Sequence, residues 1–166
     1  MEWLAGRSAR VIGPDRGIPA ALAARGAVVV EDGPSELLVH VASPPDCRPA
    51  QAIAHADWRR MLDDGLDQRF FSARAFAAER RAAGRGGAVL FVGSPEQSAG
   101  AAQAAAAGAL ANLTKTLGVE WARDGIRVNT VLAAHDSPTL GTLAAYLLSD
   151  YAAYVTGMVT GVALDD

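Results

Sequence analysis

Three polar side chains, His40, His135 and Asp136, stand where apolar runs of the sequence end, and their types could support proton transfer. A histidine exchanges protons near neutral pH because its ordinary pKa is about 6.5. In open α/β sheets, ligands bind outside the carboxyl ends of the strands. The three residues are therefore candidates for a catalytic site. A histidine at a strand end is also commonly a hydrogen-bonded residue without catalytic function, and both interpretations stand here.

The segment VIGPDRGIP (11–19) indicates a second candidate site, a phosphate-binding turn between a strand and a helix. Glycines such as Gly13 and Gly17 allow a tight turn and a close approach of the backbone to a pyrophosphate, whose charge the helix N-terminus meets. Arg16 and Ile18 complete the predicted cofactor-binding set. Asp15, however, places a negative charge where phosphates would lie, and a turn without any ligand fits the same residues.

Asp32 follows Glu31 at the end of the second apolar run. An acid at this point can accept a hydrogen bond from an adenosine ribose, which favours NAD over NADP. The alternative is that both are polar residues leaving a strand. The three histidines and the single cysteine, Cys47, show no metal-ligand spacing, so we expect no metal site.

The elements that must position these residues alternate between two hydrophobic periods. Short apolar runs rich in β-branched residues predict buried parallel strands; they are 9–13, 27–32, 37–43, 87–94, 126–133 and a last one within 157–164. Stretches with helical spacing lie between them, at 18–26, 56–84, 101–125 and 137–154. Gly26, Gly84 and Gly125 close the first three as C-caps. The predicted fold is one α/β domain over 1–166, a doubly wound parallel sheet of about six strands.

Composition excludes several classes of function. The chain has 166 residues, of which 51% are apolar and 20% charged, and its net charge is −3. No basic field is available for a nucleic acid. One cysteine cannot form an intrachain disulfide, the start MEWLAGRSAR has no apolar signal core, and no tract is apolar enough to span a membrane. We expect a cytoplasmic domain.

Several segments together resemble the short-chain dehydrogenase/reductase family. They are the Gly-x-x-x-Gly-Ile turn, GRGGAVLFVGS (84–94), GALANLTKTLGVEW (108–121), GVEWARDGIRVNTV (118–131) and LLSDYAAYVTGMV (147–159). The resemblance implies a Rossmann-like fold and a nicotinamide cofactor. Relative to the family, an edge strand unit is missing between 27–32 and 37–43. The substrate-binding segment before the last helix is reduced to AAHDSP (133–138).

The family resemblance also implies which residues should be catalytic. The family uses a tyrosine as proton donor and a lysine one helical turn later that lowers the phenol pKa, with a serine and an asparagine in support. At these positions the chain has Gln103, Ala107, Ser94 and Gly65, so only the serine is retained. Pro19 replaces a third glycine of the cofactor turn. We therefore expect no carbonyl reduction and no cofactor, although a vestigial NAD(P) site is possible.

Two long predicted helices, 57–83 and 101–122, correspond to those that form a four-helix bundle between subunits in the family. The alanine-rich sequence AAQAAAAGALA (101–111) suits close approach of two helices. The sequence thus favours a non-catalytic dimerising or scaffold subunit, either a homodimer or a heteromer with a related subunit. The alternatives are a weak NAD(P)-dependent oxidoreductase and a non-redox enzyme that uses His40, His135 or Asp136.

Overall fold

One parallel sheet of six strands organises the chain, whose computed structural model describes residues 2–44, 46–95, 100–133 and 136–162. The strands are β1 (Ser8–Ile12), β2 (Val28–Val30), β3 (Leu37–Val41), β4 (Gly87–Gly93), β5 (Ile126–Leu132) and β6 (Val159–Gly161). Their order across the sheet is β2-β1-β3-β4-β5-β6, and all five neighbouring pairs are parallel. The predicted doubly wound α/β fold is confirmed.

The trimmed edge of the sheet is β2. A Rossmann sheet in the order 3-2-1-4-5-6 carries another strand outside its second. Within the described residues no strand lies beyond β2, and the chain passes from β2 through a short turn directly to β3 on the other side of β1. Val28 and Val29 are 55% and 39% exposed as a result. The prediction that an edge unit is missing agrees with this arrangement.

Helices cover both faces of the sheet, as right-handed crossovers require. On one face lie α1 (Ile18–Ala23) and α5 (Pro138–Leu148), which pack against each other. On the other lie α2 (His55–Leu62), α3 (Gln68–Ala82) and α4 (Ala101–Glu120). Two apolar cores result, one on each face of the sheet. The core beneath α1 and α5 includes Val39 and Leu90, and the core beneath α3 and α4 includes Phe76 and Phe91.

The predicted helix over 56–84 is continuous but contains a π-helical turn, Asp63–Asp67, between α2 and α3. Gly65, in this turn, lies so close to α4 that an added Cβ would stand 2.8 Å from the Cβ of Ala106. Helical spacing continues through these residues, so the hydrophobic pattern does not predict the turn. Extra residues in one turn of a helix typically mark a local packing or functional requirement.

The predicted helix ends are mostly confirmed. Gly26, Gly84 and Gly125 have φ angles of 92°, 62° and 67°, the left-handed conformation of a C-cap glycine. The last helix, predicted over 137–154, instead ends at Leu148. The guanidinium of Arg127 donates there to the carbonyl oxygens of Leu147, Leu148 and Ser149, which satisfies the helix end. No helix in the described ranges has the length and apolarity needed to cross a bilayer.

Candidate active site

A small cavity at the carboxyl end of β3 contains two of the predicted catalytic positions. Gly65 and Gln103 line it together with Ala42, and its volume is about 130 Å³. The remaining lining residues are Ser43, Pro44, Asp46, Arg60, Met61 and Asp64. Sites for small-molecule ligands usually measure about 300–1,000 Å³. This cavity by itself, as the described residues enclose it, is smaller than such a site.

Gly65 and Ala107, which stand in place of the family's asparagine and lysine, are both packed against neighbouring residues. Gly65 contacts α4 so closely that a side chain there would collide with Ala106. Ala107, on the same helix, is buried at 4% exposure. Ser94, directly after β4, is buried at 9% exposure. The predicted loop from Ser94 to Gln103 includes residues 96–99, which lie outside the described residues.

The proline-rich segment after β3 folds against the start of α4. An added Cβ on Gly100 would lie 2.5 Å from the carbonyl oxygen of Asp46. Arg48 pairs with Asp46 at 2.6 Å and with Asp57 of α2 at 3.0 Å. Hydrogen bonds from Arg48 and Arg60 hold the pKa values of Asp46 and Asp57 below their ordinary value. The segment thus forms one wall of the cavity, at the sheet edge where the sequence suggested ligand binding.

His40 lies inside the protein, in β3 and not beyond its end. Its side chain is 5% exposed, and its Nδ1 stands 2.8 Å from the Ser72 hydroxyl. Because that hydroxyl donates to the Arg69 carbonyl oxygen, Nδ1 is the protonated nitrogen and donates to Ser72. Burial, together with the charge of Arg69, lowers the His40 pKa to about 4. The placement of His40 at the open sheet edge is therefore corrected, and its ring is neutral at pH 7.

Asp136, another predicted proton-transfer residue, is already paired. Its carboxylate accepts a hydrogen bond from Nε of Arg16 at 2.6 Å, while Nη2 of Arg16 donates to the carbonyl oxygen of Ala133 at 3.1 Å. The structure thus joins a predicted cofactor residue to a predicted catalytic one. His135, the remaining candidate, lies outside the described residues, as does Ala134.

The glycine turn keeps the left-handed glycines of a phosphate-binding loop, but two of its donors, the Gly17 N–H and the Arg16 guanidinium, are engaged within the chain. Gly13 and Gly17 have φ angles of 99° and 70°, and a Cβ on Gly13 would lie 2.2 Å from the carbonyl oxygen of Val41. The Asp15 carboxylate accepts the Gly17 N–H at 2.7 Å. With Arg16 held by Asp136, one amide and the cationic side chain of this turn are both occupied by carboxylates of the chain itself, whereas a bound pyrophosphate would need such donors free.

The remaining predicted binding residues have unremarkable surroundings. Ile18 is fully buried in the core between α1 and α5. Asp32 is exposed and lies two residues after β2. In the described part of the chain, no group of three or more His, Cys, Asp and Glu side chains could hold a metal ion.

Arg69 is the residue that the sequence interpretation overlooked. It is 1% exposed on the sheet-facing side of α3, beside His40, and two of its guanidinium nitrogens have no hydrogen-bond partner among the residues that the structure describes. The signal was available, since Arg69 occupies one helical stripe with the apolar residues Ala73, Phe76 and Ala77. A charged residue on an apolar stripe marks a buried polar group that needs an explanation.

Comparison with known proteins identifies the class to which this fold and site belong. A family described as enoyl-(acyl carrier protein) reductase matches residues 20–139. The chain therefore belongs to the short-chain dehydrogenase/reductase family. A galactitol 2-dehydrogenase of Rhizobium johnstonii is 37% identical over 93 residues, which are 50% of this chain and 34% of that protein. The chain thus matches about a third of the length of this curated relative.

Solved structures show the same fold across the family. A short-chain type dehydrogenase/reductase from Mycobacterium marinum superposes with a TM-score of 0.87 at 18% identity, covering 96% of this chain and 94% of that one. A variant of the Serratia marcescens short-chain dehydrogenase/reductase gives 0.82 at 23% identity, with coverages of 96% and 97%. At such low identity the similarity establishes the fold and leaves the activity open.

Proposed function

We propose that this chain is a non-catalytic member of the short-chain dehydrogenase/reductase family that acts as a dimerising or scaffold subunit. The observation that carries the proposal is the contact between Gly65 and Ala106, where an added Cβ would stand at 2.8 Å. It removes the room for the family's asparagine at the same place where Gln103 and Ala107 replace the tyrosine and the lysine.

The chemistry of carbonyl reduction supports this proposal. A proton must reach the developing alkoxide from a positioned acid, and an acid or base of this kind contributes roughly 10²–10⁴ in rate. The Gln103 amide has no titrating proton, and Ala107 is a buried methyl group without charge. His40 cannot replace them, because its buried ring has a pKa of about 4. Asp136 is engaged with Arg16.

The same proposal includes weak or absent cofactor binding. Asp15 takes the Gly17 N–H that would face a phosphate, and its own negative charge opposes that of the ligand. Arg16 would have to leave Asp136 before it could contact a phosphate. We expect dissociation constants for NADH and NADPH weaker than about 1 mM.

An apolar groove between α3 and α4 supports the association part of the proposal. Phe70 and Phe71 of α3 and Ala109 and Leu113 of α4 line it, together with Leu66, Asp67, Asn112 and Thr116, and its volume is about 490 Å³. Phe71 is 57% exposed, and Val119, one turn further along α4, is 79% exposed. A second copy presenting the same two helices would cover these side chains in a four-helix bundle.

Titration of purified protein with NADH and NADPH, followed by calorimetry, tests the loss of cofactor binding. A panel of ketones with either cofactor, run on the native chain and on Ser94→Ala, tests the loss of catalysis. We expect neither micromolar binding nor turnover. Reduction that disappears in Ser94→Ala would contradict the proposal, because the retained serine would then be part of a working site.

A further inference from the structure

A cavity of about 490 Å³ lies at the amino ends of the strands, opposite the edge at which this class of fold binds ligands. Arg7 lines it just before β1, and Glu36 just before β3. The other lining residues come from the end of α3, from the starts of β4 and β5 and from the turn after α5: Arg80, Arg85, Gly86, Gly87, Gly125, Arg127 and Asp150. The volume is within the range of about 300–1,000 Å³ that is usual for small-molecule sites.

Positive charge predominates in the lining of this cavity. Four arginines line it against two acids, Glu36 and Asp150, which leaves an excess of two positive charges. Asp150 pairs with Arg7 at 3.0 Å. The Glu36 carboxylate accepts the Ser8 N–H at 3.3 Å and takes part in none of the ion pairs of the described chain. The cavity therefore favours an anionic ligand.

Acids outside the described residues do not have the reach to supply the missing counter-charge. They are Glu96, Asp165 and Asp166, and the nearest described residues before them, Pro95 and Val162, follow the carboxyl ends of β4 and β6. Seven residues make up β4 and also β5, so about 20 Å separates that edge of the sheet from the cavity. A chain extends by at most about 3.6 Å per residue, which is too little over one to four residues.

The four arginines keep donors that a ligand can reach. Arg85 is exposed and its side chain makes no hydrogen bond or ion pair with the described residues. Arg7 donates only through Nη1, Arg80 only through Nε and Nη1, and Arg127 only through Nη1 and Nη2. Their remaining nitrogens are not among the buried atoms without a partner, so solvent reaches them.

Two of these guanidinium groups are held side by side. Arg7 and Arg127 donate to the same carbonyl oxygen, that of Leu148, at 3.3 Å and 3.2 Å. Burial and the charge of Arg7 lower the pKa of Arg127. An anion beside both groups would offset the repulsion between their like charges.

We propose that this cavity binds the phosphate group of a small phosphorylated molecule, through Arg85 and the free donors of Arg7, Arg80 and Arg127. A phosphate monoester carries a charge of about −1.5 to −2 at pH 7, which matches the excess positive charge of the lining. Its three terminal oxygens accept hydrogen bonds from several directions, as arginines on separate elements require, whereas a carboxylate offers two oxygens in one plane. The remaining volume accommodates the group that carries the phosphate. The site is independent of whether the chain catalyses a reaction.

An NMR titration of the isotope-labelled native chain with glycerol phosphate, inorganic phosphate or citrate, at constant ionic strength, tests the proposal. Glycerol phosphate should shift the backbone amide resonances of Gly86, Gly87 and Gly125 saturably, with half-saturation below about 10 mM. The amides of Gly13 and Gly17, in the cofactor turn, should not respond. No shift, or shifts confined to Gly13 and Gly17, would overturn the proposal. So would binding of inorganic phosphate alone, or of citrate as tightly as the ester.

The variant Arg85→Gln separates this cavity from a general effect of charge. Because the Arg85 side chain is exposed and unbonded, the variant should fold with the native Tm. It should weaken glycerol phosphate binding about tenfold through the loss of a charge-assisted hydrogen bond. Arg59→Gln, which removes the same charge from an exposed position of α2, should leave binding unchanged. Equal affinities in the two variants would refute the assignment.

Discussion

His40 and Arg69 show how strongly a shared buried environment changes the chemistry of single residues. A histidine at a strand end reads in the sequence as a proton-transfer candidate, yet β3 places it against α3 at 5% exposure. Water cannot stabilise its charged form there, and the adjacent guanidinium opposes it further. The guanidinium belongs to Arg69, which lies beside His40 in space although it is 29 positions later in the chain.

The neutral state of His40 predicts a defined dependence of stability on pH. Its pKa falls from 6.5 in the unfolded chain to about 4 in the folded one, so the unfolded chain binds the extra proton between these values. The free energy of unfolding should therefore decrease as pH falls from 6.5 to 4, by at most about 3 kcal/mol. Denaturant unfolding at a series of pH values measures this change.

Two variants separate the contribution of His40 from that of other groups. His40→Gln should flatten the dependence between pH 6.5 and 4, whereas His55→Gln, at an exposed position, should leave it unchanged. Asp46 and Asp57, whose pKa values lie below the ordinary 3.8, contribute mainly below pH 4 and are present in both variants. A flat native profile across the window would show that His40 is not buried as described.

Gly65 provides a second prediction at this scale. Gly65→Ala gains about 1 kcal/mol in helix propensity, but its Cβ would meet that of Ala106 at 2.8 Å, an overpacking that costs about 1–3 kcal/mol. We expect a net loss of about 1 kcal/mol in the free energy of unfolding. In the Gly65→Ala protein, a second substitution Ala106→Gly should restore the lost free energy of unfolding. Ala105→Gly, on the exposed side of α4, should not restore it. Equal effects of the two glycine variants would refute the contact.

At the scale of elements, the helix pair α3 and α4 has two sides with different surroundings. The inner side covers the sheet through Phe76 and Leu110, and the outer side leaves an apolar groove beside Phe71. Within the alanine-rich stretch 101–111, which suits close approach of two helices, Ala104, Gly108 and Ala111 are half-buried. The groove runs past Ala109 and Leu113.

The groove predicts where a charge would prevent association. Ala109→Arg would place a guanidinium among Phe70, Phe71 and Leu113, and dimerisation would bury it without a partner. We expect a monomer or a loss of soluble protein, measured by light scattering with size-exclusion chromatography. Thr142→Arg adds the same side chain at an exposed position of α5, on the opposite face of the sheet, and should leave the native assembly unchanged. If Ala109→Arg retained the native assembly, this groove would be excluded as the subunit interface.

For the molecule as a whole, removal of an edge unit leaves a smaller core and an open margin. The sheet ends at β2, which contributes three residues and leaves Val28 more than half exposed. A domain that buries less apolar surface gains less stability, at about 25 cal/mol per Å². Association through α3 and α4 would restore part of this burial, which is the physical reason to expect an obligate dimer.

An obligate dimer predicts that thermal stability depends on protein concentration. Each tenfold dilution should lower the Tm by about 2 °C, since unfolding then includes dissociation of the subunits. Differential scanning fluorimetry from about 1 to 100 μM measures this dependence. If the chain instead forms a heteromer with a related active family member, the Tm of a mixture of the two proteins should exceed that of this chain alone at the same total concentration. A Tm independent of concentration, with a monomeric mass, would remove the main support for an interaction module.

The sequence determined those features that are encoded by neighbours along the chain. Hydrophobic periodicity and composition predicted six parallel strands and their crossover helices. Glycines at 26, 84 and 125 marked helix ends, because φ angles and caps are local properties. The family resemblance added the missing edge unit, which the strand order confirms. Gly65 and Gln103, predicted to share one site, do line one cavity.

Only the tertiary structure decided how residues distant in sequence change one another. The burial of His40, the pairing of Arg16 with Asp136 and the contact of Gly65 with Ala106 each join segments more than 30 residues apart. Their effects depend on desolvation and on distances of a few ångströms, which no spacing along the chain encodes. Arg69 follows the same rule: its residue type was visible in the sequence, but its burial, with two nitrogens unpartnered among the described residues, appears only when α3 packs on the sheet.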